Sequence, residues 1–160
     1  MQEFEFQNVW SPKNQDLLEE IVLFWNQYKA IPPGESGIDR AKDVVFIARD
    51  QEGKIAAVST VKIHFTKFLK LNMFYYRCFV APEHRRKRLM TEITVHTRDF
   101  LETEHKRIKP LCAGMIAELQ NPDLNTYRRE AVFTASGLTF IGYNSKGFQM
   151  RIYYFKGATI

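Results

Sequence analysis

Val80-Ala81-Pro82-Glu83-His84-Arg85-Arg86-Lys87-Arg88-Leu89-Met90 joins an apolar run ending at Val80 to an amphipathic run starting at Leu89, with four consecutive cations between them. The pattern predicts a strand, a tight turn and the start of a helix. The first turn of a helix leaves backbone N–H groups without intrahelical partners, and the helix dipole puts its positive end there. Such a junction is a natural seat for phosphate, and Arg85, Arg86, Lys87 and Arg88 deepen it. The plainer reading of a basic tetrapeptide is a solvated turn, so the elements on either side decide between the two.

Upstream, Leu71 to Val80 reads as a strand. Val44 to Ala48 and Ile55 to Phe65 read as two more, joined by a hairpin turn at Gln51-Glu52-Gly53-Lys54. Phe4, Phe6 and Val9 alternate as a first strand. Ser11-Pro12 resembles an N-cap with proline in the first helical turn, followed by Leu17, Leu18, Ile21, Val22, Trp25 and Tyr28 at helical spacing. Ile31-Pro32-Pro33-Gly34 is expected to end that helix, and a loop or short helix runs on to Arg40.

Downstream, Leu89, Ile93, His96 and Phe100 mark the buried stripe of a helix reaching about Lys106, and Leu111 to Leu119 reads as a strand. Asn121-Pro122 is a second cap-and-proline start, with Leu124, Tyr127, Ala131 and Ala135 on one side and Gly137 at the stop. Leu138 to Tyr143 and Phe148 to Phe155 close the chain as a hairpin. No repeat or linker interrupts residues 1–160, and the length suits a single domain with one substantial core. The predicted class is α/β (α+β), in the order βα(α)βββαβαββ.

The strand ending Val80-Ala81-Pro82, the Arg85-Arg86-Lys87-Arg88-Leu89-Met90 turn and the helix after it resemble the acyl-CoA loop of the GNAT N-acyltransferases, in which Val-x-Pro runs into Arg/Gln-x-x-Gly-x-Gly/Ala. The order of elements over nearly the whole chain is similar to that family's as well. Val80, Pro82 and Arg85 fall at matching places, while Arg88 and Met90 stand where the family has glycine, and glycine or alanine. The resemblance implies a mixed, mostly antiparallel sheet flanked by helices, acetyl-CoA or another acyl-CoA as co-substrate, an amine as acceptor and no metal. It implies that Cys78, Phe79, Val80, Arg85, Arg86, Lys87, Arg88, Leu89, Met90 and Thr91 line the cofactor, joined by Asn121, Asn125 and Phe133. It also implies a splayed gap beside the strand ending at Val80, with the thioester carbonyl near the amide of Phe79 or Val80.

Acyl transfer to an amine needs a base for the amine proton and an acid for the departing thiolate. Where many family members carry acidic residues before Val-x-Pro this chain has Tyr76 and Arg77, and where many carry a tyrosine four residues before the late glycine it has Phe133. The catalytic candidates that remain are Glu118, closing an apolar strand, and Tyr127, six positions before Phe133 and turned elsewhere on a helix. His64 could face an acceptor; His84 and His96 suit solvent and packing roles.

Composition bounds the alternatives. Residues 45% hydrophobic and 14% aromatic exclude a disordered chain, and 23 Lys+Arg against 18 Asp+Glu, a net +5, favour an anionic ligand. Cys78 and Cys112 have no ligand spacing and suit buried thiols in a reducing compartment, and no run is apolar for the roughly 20 residues of a membrane span. A cytoplasmic protein without membrane contact is expected, its partners a small-molecule or protein amine and a second copy in a homodimer. Two other readings stay open: a catalytically silent acyl-CoA sensor of the same fold, and a single-stranded nucleic-acid platform built on Phe74-Tyr75-Tyr76 and Tyr153-Tyr154-Phe155.

Overall fold

The computed structural model describes residues 3–85 and 88–160, so Arg86 and Lys87 lie outside the described residues. The elements follow as β1 (Glu5–Asn8), α1 (Gln15–Gln27), α2 (Gly37–Ala41), β2 (Val44–Arg49), β3 (Ile55–Thr66), β4 (Leu71–Val80), a 3-10 turn (Pro82–His84), α3 (Leu89–Glu104), β5 (Gly114–Leu119), α4 (Pro122–Tyr127), β6 (Thr139–Tyr143) and β7 (Gln149–Tyr154). The strands make one seven-stranded sheet ordered β1-β2-β3-β4-β5-β7-β6. The β1–β2, β2–β3, β5–β7 and β6–β7 ladders are antiparallel and β4–β5 is parallel. A parallel step needs a crossover, and α3 supplies it. The order is the one read from the sequence, and the mostly antiparallel sheet is the one the resemblance implies. The chain divides into two compact units, Met1–Val61 with Cys78–Thr97, and Lys62–Arg77 with Arg98–Ile160.

In the first unit α1 buries Leu18, Ile21 and Trp25, spaced three and four apart on one face, with Val44, Ile47, Ile55, Val58 and Ala81 in the same core. Asn14, not Ser11, caps α1: its side chain accepts from the Leu17 amide at 2.8 Å. The helix stops at Gln27 because Lys29 takes a left-handed φ of 53°, ahead of the prolines expected to end it. Arg49 donates two hydrogen bonds to Glu20, at 2.6 and 2.8 Å, and this pairing holds the Glu20 carboxyl below its usual range. The hydroxyls of Ser59 and Thr97, both buried, share a hydrogen bond of 2.7 Å.

The second unit packs Met73, Ala113, Ile116 and Ile152 together. Gly114 faces Tyr154 across the β5–β7 ladder, where a Cβ would fall on the backbone carbonyl of Tyr153, so only glycine fits. β5 starts at Gly114 rather than Leu111, which is exposed. The late helix is also shorter than expected. α4 ends at Tyr127, and residues 128–138 are irregular, because the buried Arg151 guanidinium (1% exposed) takes carbonyls from that stretch: Ala131 and Leu138 at 3.3 Å and Arg128 at 3.4 Å. The Ala131 and Leu138 carbonyls also accept from the Phe140 and Phe133 amides, at 2.8 and 2.9 Å, which holds the stretch against β6 instead of in a helix. Gln149 Oε1 accepts twice more from Arg151, so the cation is satisfied without a carboxylate. Phe74, Tyr76 and Phe155 are buried, which removes them from any base-stacking platform. Among the described residues no helix is long and apolar enough to cross a membrane, and no cluster of His, Cys, Asp and Glu is arranged to hold a metal ion.

Candidate functional site

In the first unit β4 ends at the buried Val80, and the Ala81 amide donates to the Ala56 carbonyl at 2.8 Å before the chain enters the 3-10 turn. Three contacts pin that turn. The Tyr28 hydroxyl donates to Glu83 at 2.6 Å, Arg85 Nε donates to the Val80 carbonyl at 3.1 Å, and the Arg85 guanidinium lies 5.6 Å over the Phe79 ring. Phe79 in turn packs with Phe24 and Tyr28, ring centroids 5.7 and 5.8 Å apart. The hydrogen bond to Glu83 and partial burial push the Tyr28 hydroxyl up to about 12, and the same bond lowers the Glu83 carboxyl.

Arg88 carries the most telling geometry. Its φ is +60°, the left-handed conformation that glycine takes freely and that costs other residues roughly 1–2 kcal/mol. The chain therefore keeps the backbone bend of a glycine at the place where the resembling loop has one, and hangs a guanidinium on it. The Arg88 carbonyl accepts from the Glu92 amide at 3.1 Å, which starts α3, and Leu89 (0% exposed) locks the first turn into the core. Met90 and Thr91 are half-buried, so of the expected lining residues Leu89 packs inward while Arg85 and Arg88 are exposed. Cys78 is half-buried and takes part in no disulfide. His84 sits 3.9 Å from Asp50 and edge-on to Phe4, and His96, exposed rather than on the buried stripe, stacks on Phe6 at 4.3 Å.

In the second unit Glu118 is half-buried near the end of β5 and accepts from the Tyr75 hydroxyl at 3.3 Å and from Gln120 Nε2 at 3.5 Å. Burial, then the nearby Glu118 charge, raises the Tyr75 hydroxyl above its ordinary value. The Arg77 guanidinium lies 5.2 Å over the Tyr75 ring and His64 packs 6.2 Å from it. Sequence reasoning singles out Glu118 and does not point to the Tyr75 beside it. Alternation puts Tyr75 and Arg77 on one face of β4, but only the parallel register, Tyr75 opposite Ile116, brings that face beside Glu118.

The other expected residues of this unit are structural in their contacts. Asn121 caps α4, accepting from the Asp123 amide at 2.9 Å. Asn125 donates to the Leu119 and Asn121 carbonyls and accepts from the Gln149 amide at 3.1 Å, which ties α4 to β5 and β7. Tyr127 is 79% exposed at the end of α4, apart from the Glu118–Tyr75 pair in its contacts. Phe133 is buried between two guanidiniums, Arg151 at 3.6 Å and Arg128 at 4.3 Å from its ring. Burial pushes the Cys112 thiol up to about 11, which keeps it protonated and unreactive at neutral pH.

No family model matches the sequence, and no curated protein matches it. Solved structures do. The chain is similar to the ribosomal-protein-S5-alanine acetyltransferase of Vibrio fischeri, with a TM-score of 0.67 and 11% identity over 100% of this chain and 97% of that one. A GNAT-family acetyltransferase of Streptococcus pneumoniae aligns with a TM-score of 0.62 and 10% identity over 94% and 96%. The GNAT-superfamily phosphinothricin acetyltransferase of Sinorhizobium meliloti, solved with acetyl-CoA, aligns with a TM-score of 0.65 and 12% identity over 96% and 89%. With that order of elements, one parallel step in the sheet and these neighbours, the chain has the fold of the GNAT N-acyltransferases.

Proposed function

We propose that the chain is an N-acyltransferase that moves an acyl group, acetyl in the simplest case, from acyl-CoA to an amine. The observation that carries this reading is the left-handed Arg88 between β4 and α3: a phosphate-seating turn kept in its glycine conformation although the residue is not glycine. Arg85 and Arg88, with the first amides of α3, hold the CoA pyrophosphate, and Arg86 and Lys87 add charge in sequence. The backbone amide of Phe79 or Val80 polarises the thioester carbonyl. Glu118, hydrogen-bonded to Tyr75, takes the proton that the attacking amine sheds. The amine nitrogen forms its bond to the acyl carbon as the carbon–sulfur bond breaks, and the thiolate leaves to be protonated by solvent, since Phe133 has no hydroxyl to give.

The phenyl ring of Phe133 under two guanidiniums favours a second reading, a CoA-binding module without turnover. Incubation with acetyl-CoA and a panel of amines, diamines, amino acids and peptide N-termini, with free thiol followed by a disulfide dye, separates the two. Thiol release that depends on one acceptor supports the enzyme. CoA binding without release for any acceptor class supports the silent module.

A further inference from the structure

The formal charge of +5 is divided unevenly. The first unit carries 10 Lys+Arg against 12 Asp+Glu, a net −2, and the second 13 against 6, a net +7. The second unit's cations gather where carboxylates are missing: no Asp or Glu occurs between residues 55 and 82, a run that includes the unit's 62–77, nor between 105 and 117. The first of these stretches contains the β3–β4 hairpin, whose end displays Phe65 (53% exposed) and Phe68 (66% exposed) among Lys62, Lys67 and Lys70.

This hairpin end is a built feature. Thr66 is buried, its carbonyl accepts from the Leu69 and Lys70 amides at 3.1 and 2.8 Å, and Lys70 closes the turn with a φ of 56°. Leu69 and Leu71 pack inward against the Met73 cluster. A turn anchored on its inner side that still leaves two phenyl rings in water forgoes the burial that phenylalanine ordinarily gains. Just behind the hairpin turn, Leu71 and Asn72 line a cavity of about 240 Å³ together with His105, Lys106, Lys109 and Cys112. His105 Nδ1 is buried there without a hydrogen-bond partner, and Lys106 Nζ lies close to Gly157.

We propose that this end of the second unit docks on an anionic phospholipid bilayer. Phe65 and Phe68 enter the headgroup–acyl boundary, Lys62, Lys67 and Lys70 face the negative surface, and a headgroup phosphate meets Lys106 and Lys109 at the cavity. Phenylalanine on a projecting turn, flanked by lysines, fits a fluid interface that moulds around it. Stacking of nucleic-acid bases would call for rings laid out along a groove, and with Phe74, Tyr76 and Phe155 buried the exposed rings of Tyr143 and Tyr154 are left without a continuous row. Membrane contact of this peripheral kind replaces the expectation of none.

Co-sedimentation with vesicles of phosphatidylcholine alone and of phosphatidylcholine with one quarter phosphatidylglycerol tests it. The full chain is expected to bind the anionic vesicles, to release them at high salt, and to leave the neutral ones free. Each lysine near such a surface is worth roughly fivefold in partition. Lys67→Gln with Lys70→Gln should therefore weaken binding by about 25-fold, and Phe65→Ser with Phe68→Ser by at least about tenfold. In Phe68→Trp the new indole should shift its emission to the blue on anionic vesicles and be quenched by brominated lipid. Equal binding to both vesicle types, no effect of the hairpin variants, an indole left unquenched in Phe68→Trp, or tighter binding to a single-stranded oligonucleotide through the same residues would each overturn the proposal.

Discussion

Replacing Arg88 by glycine acts on the backbone and on the site in opposite directions, so one variant tests both. With φ at +60°, arginine is held in a conformation that glycine adopts without a Cβ clash. Relief of about 1 kcal/mol is expected, diminished a little by the freer unfolded chain. For a domain of this length that corresponds to a melting temperature about 2–4 °C higher. The lost guanidinium works the other way. If it holds a pyrophosphate oxygen, a charge-assisted hydrogen bond of roughly 1.5–3 kcal/mol disappears, and CoA binds about 10- to 150-fold more weakly. Arg88→Ala separates the terms, because alanine keeps the strain and loses the charge: its melting temperature should match the parent while CoA binding weakens. Thermal melts and calorimetric titration with CoA read the two quantities. A glycine variant no more stable than the parent would refute the left-handed turn, and unchanged or tighter CoA binding would refute the guanidinium contact.

Four further outcomes are expected. Gly114→Ala sets a methyl against the Tyr153 carbonyl and should destabilise the fold by more than about 3 kcal/mol in urea unfolding, with failure to express soluble protein as the extreme. Arg151→Met takes both donors from Gln149 Oε1 and one of two donors from each of the Arg128, Ala131 and Leu138 carbonyls, so a loss of roughly 1–3 kcal/mol is expected by the same assay. Glu118→Gln should lower acyl transfer by roughly 10²–10⁴-fold while sparing CoA affinity. Because the Tyr28 hydroxyl is raised to about 12 by Glu83, its hydrogen bond stabilises the fold fully below the ordinary tyrosine value and is lost as pH climbs through 12. Beside the raised hydroxyls of Tyr75 and Tyr153, absorbance titration should show a late-ionising tyrosine that vanishes in Tyr28→Phe and titrates earlier in Glu83→Ala.

The sequence makes legible what local pattern controls. The apolar run to Val80, the basic turn and the stripe from Leu89 give β4, the turn and α3 at nearly their observed limits, and alternation with turn residues gives β2, β3, β6 and β7. What stays hidden depends on partners distant in the chain. The cap-and-stop pattern from Asn121 to Gly137 reads as one helix until Arg151, 20 residues beyond Ala131, draws the carbonyls away. Tyr75 and Glu118 are 43 positions apart, and no spacing rule joins them before β4 and β5 are known to pair in parallel. Even the cap of α1 turns on a near tie: Ser11-Pro12 and Asn14 both suit helix starts, and the structure uses the second. Arg88 is visible in the sequence as a departure from a glycine pattern, but a residue's name does not reveal its φ.

The central claim is that the turn between β4 and α3 seats the pyrophosphate of an acyl-CoA. Calorimetric titration of the full chain with acetyl-CoA, CoA and pantetheine, the last of which keeps the thiol arm and lacks the pyrophosphate and nucleotide, tests it most directly. Acetyl-CoA and CoA are expected to bind with similar affinity, and pantetheine at least about a hundredfold more weakly, since it forfeits the charge-assisted contacts to Arg85 and Arg88. Pantetheine binding as well as CoA, or no binding of acetyl-CoA at millimolar concentration, would contradict the account.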